Sequence, residues 1–87
     1  MVSQKVVIIN PTGLHLRPAG VLCSEAMKFS SKVTFRHGND VSYAKSVLSV
    51  LGACIKSGCE IELICEGDDE EAALEAMVKA VESGLGE

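Results

Sequence analysis

The pattern that most restricts what this chain can fold into is one-sided alternation. In Lys5-Val6-Val7-Ile8, Val6 and Ile8 share one side against Lys5 and Val7; Lys32-Val33-Thr34-Phe35-Arg36 alternates cleanly; Ile61, Leu63 and Cys65 alternate with Glu60, Glu62, Ile64 and Glu66. A period of two with one consistently apolar side marks strands that bury a single face. Parallel sheets are covered on both faces and read as unbroken apolar runs, so these strands predict an antiparallel sheet with one wet face.

The cover for the other face is written in segments of helical period. From Leu16 to about Lys28, Val21, Leu22, Cys23, Ala26 and Met27 fall on one stripe. Ser46 opens a short helix through Val47, Leu48, Val50 and Leu51 that ends between Gly52 and Lys56. A third helix is predicted with Asp68 or Asp69 as cap, Glu71 completing a capping box with Asp68, an inner stripe of Leu74, Met77, Val78 and Val81, and Gly84 as its stop. Gly38-Asn39-Asp40 turns the second strand into a third, Val41–Ala44. The order is strand, helix, two strands, helix, strand, helix. This is an α+β chain with its helices on one face of the sheet. Its 87 residues suffice for a single domain, 1–87, and with aromatics at 3% the core must come from Val, Ile, Leu, Ala and Met. Element order alone does not separate such a domain from a ferredoxin-like one.

The chemistry gathers where the first strand meets the first helix. Asn10, Pro11 and Gly13 break the strand, and Pro18 suits only the first turn of a helix, so His15 falls at or beside a helix N-cap. The first N–H groups of a helix lack intrahelical acceptors, and the peptide dipoles add positive character there. Such an end receives anions. A neutral imidazole nitrogen at that position can attack phosphorus, and the phosphoryl oxygens then face the open N–H groups with Arg17 at hand. Arginine is usually a solvated surface cation, but at a helix start it opposes the dipole, which points to neutralisation of phosphate or contact with acidic partner groups.

Gly13-Leu14-His15-Leu16-Arg17-Pro18-Ala19, with Ala44-Lys45-Ser46-Val47-Leu48 further on, resembles the two signatures of the HPr family, histidine-containing phosphocarriers of the bacterial sugar phosphotransferase system. The resemblance spans the whole chain. It implies an open-faced β-sandwich, βαββαβα, with a four-stranded antiparallel sheet in the order 1-4-2-3 and three helices on one face. It also implies a carrier rather than a stand-alone enzyme: His15 takes a phosphoryl group on Nδ1 from Enzyme I, itself charged by phosphoenolpyruvate, and passes it to the A component of a sugar-specific Enzyme II. No cofactor and no metal is expected. The alternative is an HPr-like regulatory protein that works by binding other proteins without a phosphoryl relay.

Ser46 is a favoured helix cap in its own right. By resemblance to HPr proteins of the Gram-positive type it is also a regulatory phosphorylation site, with an HPr kinase/phosphorylase and a catabolite-control regulator as partners, whereas other HPr proteins carry the serine without such a kinase; a phosphate there would sit at a helix start beside Lys45. Leu14, Leu16, Val47, Leu48 and Leu51, together with Arg17, are the expected docking residues, since a short helix this apolar cannot bury every side chain; Val47, Val50 and Leu51 are expected inside. Three positions depart from the family pattern. Leu16 is bulky where a small residue is usual, Gly20 replaces a commoner Ala, Ser or Thr, and Ala53-Cys54 stands where a larger aliphatic and a glycine are frequent. Gly20 marks either a close approach to its helix or simple tolerance.

The remaining features exclude rather than assign. A net charge of -4 and no basic run argue against direct nucleic-acid binding. No apolar run nears the ~20 residues of a membrane helix, and no signal-peptide core precedes the first strand, so a cytoplasmic monomer is expected. Cys23, Cys54, Cys59 and Cys65 have no zinc-binding spacing and are expected as free thiols. The acidic run Asp68–Glu71 reads as a helix start, and His37 as a solvated hairpin residue.

Overall fold

A computed structural model describes all 87 residues. The elements are β1 (Val2–Val7), α1 (Leu16–Ala26), β2 (Lys32–His37), β3 (Asp40–Tyr43), α2 (Val47–Gly52), β4 (Glu60–Glu66) and α3 (Glu70–Glu82). The four strands form one antiparallel sheet in the order β1-β4-β2-β3, as the resemblance implies. Register follows the alternation: Val6 lies opposite Ile61 and Phe35 opposite Leu63, all four buried on the helix-covered face. Lys5 lies opposite Glu62, and Glu62 opposite Arg36, on the open face. A one-residue slip would put every one of these side chains on the wrong side.

One cluster of 19 buried hydrophobic residues joins the covered face of the sheet to α1, α2 and α3. Burial differs from the expected pattern at several places. Thr34 is buried although it sits on the open face, because β2 is a central strand and its cross-strand neighbours Tyr43 and Ile64 cover it. On α1 the buried side is Pro18, Ala19, Leu22 and Ala26, while Val21 and Met27 are exposed and Cys23 is half-buried. The inward stripe is thus set by small residues that let the helix approach its neighbours, and the larger Val21 and Met27 fall to its outer side. On α3 Ala73 replaces Leu74 as the inner residue of the first turn, and Leu74 is only partly covered. His37 is half-buried, not fully solvated.

The start of α3 also departs from expectation. Asp69 is the N-cap residue, but its carboxylate does not cap its own helix. It accepts from the Ser31 hydroxyl, from Ser31 N–H at 2.9 Å and from Ser30 N–H at 3.0 Å, tying α3 to the turn before β2. Those bonds, the Ser31 hydroxyl foremost, hold its carboxyl down at about 2. The reach-back expected of Glu71 is made by Glu70, which accepts from Gly67 N–H at 3.1 Å. All four cysteines are free, and Cys65 is fully buried.

Candidate functional site

β1 hands its register on beyond Val7: Ile8 N–H donates to Cys59 O at 2.9 Å, and Gly58 N–H to Ile8 O at 2.7 Å. The chain then turns. Gly13 N–H donates to Asn10 O at 3.2 Å, and the buried Asn10 amide donates back to Gly13 O at 2.7 Å, closing a tight loop over residues 10–13. Gly13 adopts a φ of +67°, and a Cβ built on it would lie 2.5 Å from Ile55 O and 2.8 Å from Lys56 Cα. Only glycine fits this crossing without moving backbone. Leu14 N–H donates to the same Ile55 carbonyl at 3.0 Å, and its side chain is 2% exposed.

His15 follows as the N-cap residue of α1, in extended backbone geometry, with its carbonyl accepting from Ala19 N–H at 2.8 Å. Its side chain makes no capping bond and is exposed. The imidazole is therefore free of structural duty at a helix end whose first N–H groups have no acceptor in the helix. Arg17 is also exposed and takes part in none of the ion pairs. No acidic residue occupies the first turn of α1, so nothing on that turn offsets its positive character. Pro18, two residues after the first helical residue, lacks only an N–H that the helix would leave unpaired.

His15 lines a shallow hollow of about 360 Å³ with Leu14, Leu16, Leu51, Cys54, Ile55 and Lys56. A larger hollow of about 610 Å³ lies between α1 and α3 along Val21, Phe29 and Ala76 and includes neither His15 nor Arg17. Leu16, which lines the smaller one, is 69% exposed, and Leu48 on α2 is 82% exposed. Val47 and Leu51 are half-buried, Val50 is buried, and Leu14 is part of the core. Leu14 is therefore corrected: as the anchor that the loop buries beneath α1 and α2, it has no surface to offer a partner. The apolar residues open to solvent here are Leu16 and Leu48.

Ser46 is the N-cap of α2, its hydroxyl accepting from Ser49 N–H at 3.2 Å. Lys45 does not face it as expected. Its ammonium donates to Phe29 O at 2.7 Å, at the turn after α1. Of the three departures, Gly20 has nothing within 4 Å of a built Cβ, which settles its two readings in favour of tolerance. Cys54 is exposed and holds a φ of +55°, a region costly for any residue with a Cβ, at the place where a glycine is frequent. Sequence reasoning also missed Glu87, whose carboxylate accepts from Thr12 N–H at 3.3 Å and from the Thr12 hydroxyl at 2.8 Å. Nothing local signals a contact between residues this far apart in the chain.

The geometry agrees with comparisons to known proteins. Residues 2–83 match the family described as the PTS HPr component phosphorylation site. The chain is similar to the phosphocarrier protein HPr of Lysinibacillus sphaericus, 37% identical over 86 residues and 98% of each chain. It is equally similar to the HPr-like protein Crh of Bacillus subtilis, 37% identical over 82 residues, 94% of this chain and 96% of that one. In three dimensions it resembles the crystal structure of HPr-C-His from Thermoanaerobacter tengcongensis, with a TM-score of 0.96 at 39% identity, covering 100% of this chain and 98% of that one. A free imidazole at an open helix end, an unpaired arginine beside it and a match of this extent lead to one conclusion: the chain belongs to the HPr family of phosphotransferase-system phosphocarriers.

Proposed function

We propose that His15 is the phosphoryl-carrying residue of this chain, charged by Enzyme I and discharged to the A component of a sugar-specific Enzyme II. The observation that carries the reading is that His15 occupies the N-cap position of α1 without using its side chain as a cap. The lone pair of a neutral ring nitrogen, Nδ1 by family resemblance, attacks the donor's phosphorus as the bond to the donor breaks. The proton on the other ring nitrogen stays in place. The transferred oxygens meet the N–H groups at the start of α1, and Arg17 supplies a compensating positive charge. An imidazole returns the group readily, whereas a serine phosphate would end the relay.

An exposed nucleophile with no enclosing cavity suits a carrier whose partners complete the reacting site. Leu16 and Leu48, with the partly covered Val47 and Leu51, offer the apolar contact surface, and Arg17 its charged edge. Ser46 adds a regulatory position: a phosphate there lies at the start of α2 on the same side chain that now caps it. The equal identity to an HPr-like protein Crh supports a second reading, in which the chain acts through protein binding, with an HPr kinase/phosphorylase and a catabolite-control regulator as partners.

Incubation with Enzyme I and phosphoenolpyruvate, followed by intact-mass measurement, separates the two. The carrier gains one acid-labile, base-stable phosphoryl group, and His15→Ala gains none while keeping its fold. Arg17→Ala is charged more slowly, and Arg17→Lys recovers part of the rate because an ammonium lacks the planar fork. A wild-type protein that Enzyme I leaves unmodified rejects the relay in favour of the binding role.

A further inference from the structure

The chain beyond α3 does more than end a helix. Gly84 N–H donates to Val81 O and Leu85 N–H to Ala80 O, both at 3.1 Å, the paired bonds that close a helix C-terminus. The backbone nevertheless continues to curl, with φ of +91° at Gly84, +52° at Leu85 and +84° at Gly86. Leu85 is a branched L-residue in the left-handed region, held there by a side chain that is 1% exposed. The curl delivers Glu87 to the loop in front of His15. One carboxylate oxygen accepts from Asn10 Nδ2 at 3.0 Å, Thr12 N–H at 3.3 Å and Thr12 Oγ1 at 2.8 Å, and the other lies 2.8 Å from the same hydroxyl.

Asn10 transmits this grip. It is 2% exposed, and the amide nitrogen that meets Glu87 also donates to Gly13 O, two residues before His15. The Asn10 and Thr12 bonds lower the Glu87 carboxyl below the usual glutamate range, and the Arg17 charge lowers it further. Glu87 is thus tied by its hydrogen bonds to the loop that presents His15.

We propose that Glu87 is a positioning residue of the phosphoryl site, fixing the Asn10–Gly13 loop; the proposal rests on the reading that His15 is charged. The side-chain hydrogen bonds of Glu87 all go to Asn10 and Thr12, so its removal acts on the loop that presents His15. The test is steady-state charging by Enzyme I of wild type, Glu87→Ala and Glu87→Gln, with thermal melts of each. Loss of one hydrogen-bonded clasp predicts that kcat falls about three- to tenfold in Glu87→Ala with KM unchanged. Glu87→Gln keeps an acceptor oxygen but no charge, and recovers part of that loss. In wild type the Thr12 amide resonance shifts on acidification as the carboxyl titrates, and in Glu87→Gln that shift is absent. Charging of Glu87→Ala at the wild-type kcat, or an effect confined to KM or to the melting temperature, overturns the proposal while leaving the carrier reading intact. A wild-type protein that is not charged at all overturns the carrier reading, and the proposal with it.

Discussion

Two glycines seven positions apart should respond to the same substitution with opposite signs. At Gly13, alanine places a Cβ 2.5 Å from Ile55 O and 2.8 Å from Lys56 Cα, both backbone atoms that cannot rotate away, on a residue with a φ of +67°. The left-handed conformation alone costs an L-residue about 1–2 kcal/mol. Moving the 55–56 backbone aside also breaks the 3.0 Å bond from Leu14 N–H to Ile55 O, a further loss of about 0.5–1.5 kcal/mol. Gly13→Ala should therefore destabilise by about 1.5–3.5 kcal/mol, which for a domain this small lowers the melting temperature by roughly 6–28 °C. Gly20 lies inside α1 with nothing within 4 Å of a built Cβ, so Gly20→Ala should stabilise by about 0.5–1 kcal/mol through helix propensity. Urea unfolding followed by far-ultraviolet circular dichroism measures both, and charging by Enzyme I measures whether the displaced loop carries His15 with it. A Gly13→Ala protein unfolding at the wild-type midpoint would refute the claim that this crossing holds the loop.

Cys54→Gly should raise stability by about 0.5–1 kcal/mol, because relief at a φ of +55° outweighs the added freedom of the unfolded chain; a lower urea midpoint would show that the thiol contributes more than its backbone costs. Asp69 should govern acid stability. Its carboxyl lies lower in the folded chain, at about 2, than its ordinary 3.8, so its contribution is complete above about pH 4 and is lost as pH falls toward 2. Asp69→Asn should flatten the melting temperature across that window, and an unchanged acid limb in the variant would contradict the assignment. Ser46→Ala should lose the cap and about 1 kcal/mol, whereas Ser46→Asp should keep it and be charged more slowly if Enzyme I presents acidic groups to the surface around His15; equal charging of Ser46→Asp and wild type would detach Ser46 from that surface.

What the sequence made legible depended on how local the cause was. β4 was plain because Glu60, Glu62 and Glu66 mark one side and Ile61, Leu63 and Cys65 the other. His15 at the start of α1 was plain because Pro18 and the Asn10–Gly13 breakers confine where the helix can begin. Thr34 was not, since its cover comes from Tyr43 and Ile64 on neighbouring strands, and a polar residue on an open face carries no mark of being central. The buried side of α1 was misjudged because hydrophobicity favours Val21 and Met27, while close packing selected Pro18 and Ala19. Asp69 read as an ordinary cap because the Ser30–Ser31 turn it holds is remote in sequence. Glu87 had no signal, as its partners Asn10 and Thr12 lie 77 and 75 residues away in the sequence.

The burial of Leu14 shows how a residue can be exposed without being loose. Leu14 and Leu16 flank His15, yet the first is 2% and the second 69% exposed. The buried neighbour anchors the backbone, its N–H bonded to Ile55 O, while on the helix side Pro18 and Ala19 are buried beneath the same turn. Residue 15 is thus fixed from both sides by groups that face inward, and its own side chain is left without a hydrogen bond to maintain. The docking role proposed for the exposed Leu16 and Leu48 costs the core little, since it already closes through Leu14, Val50 and Ile55. Substituting Leu16 or Leu48 by a polar residue changes the surface a partner meets, whereas Leu14→Ala opens the core by about 2–5 kcal/mol and releases the loop. Presentation of the proposed site and the docking proposed for its partners therefore fall to alternate residues of one short segment, Leu14 and Leu16, and the two can vary independently.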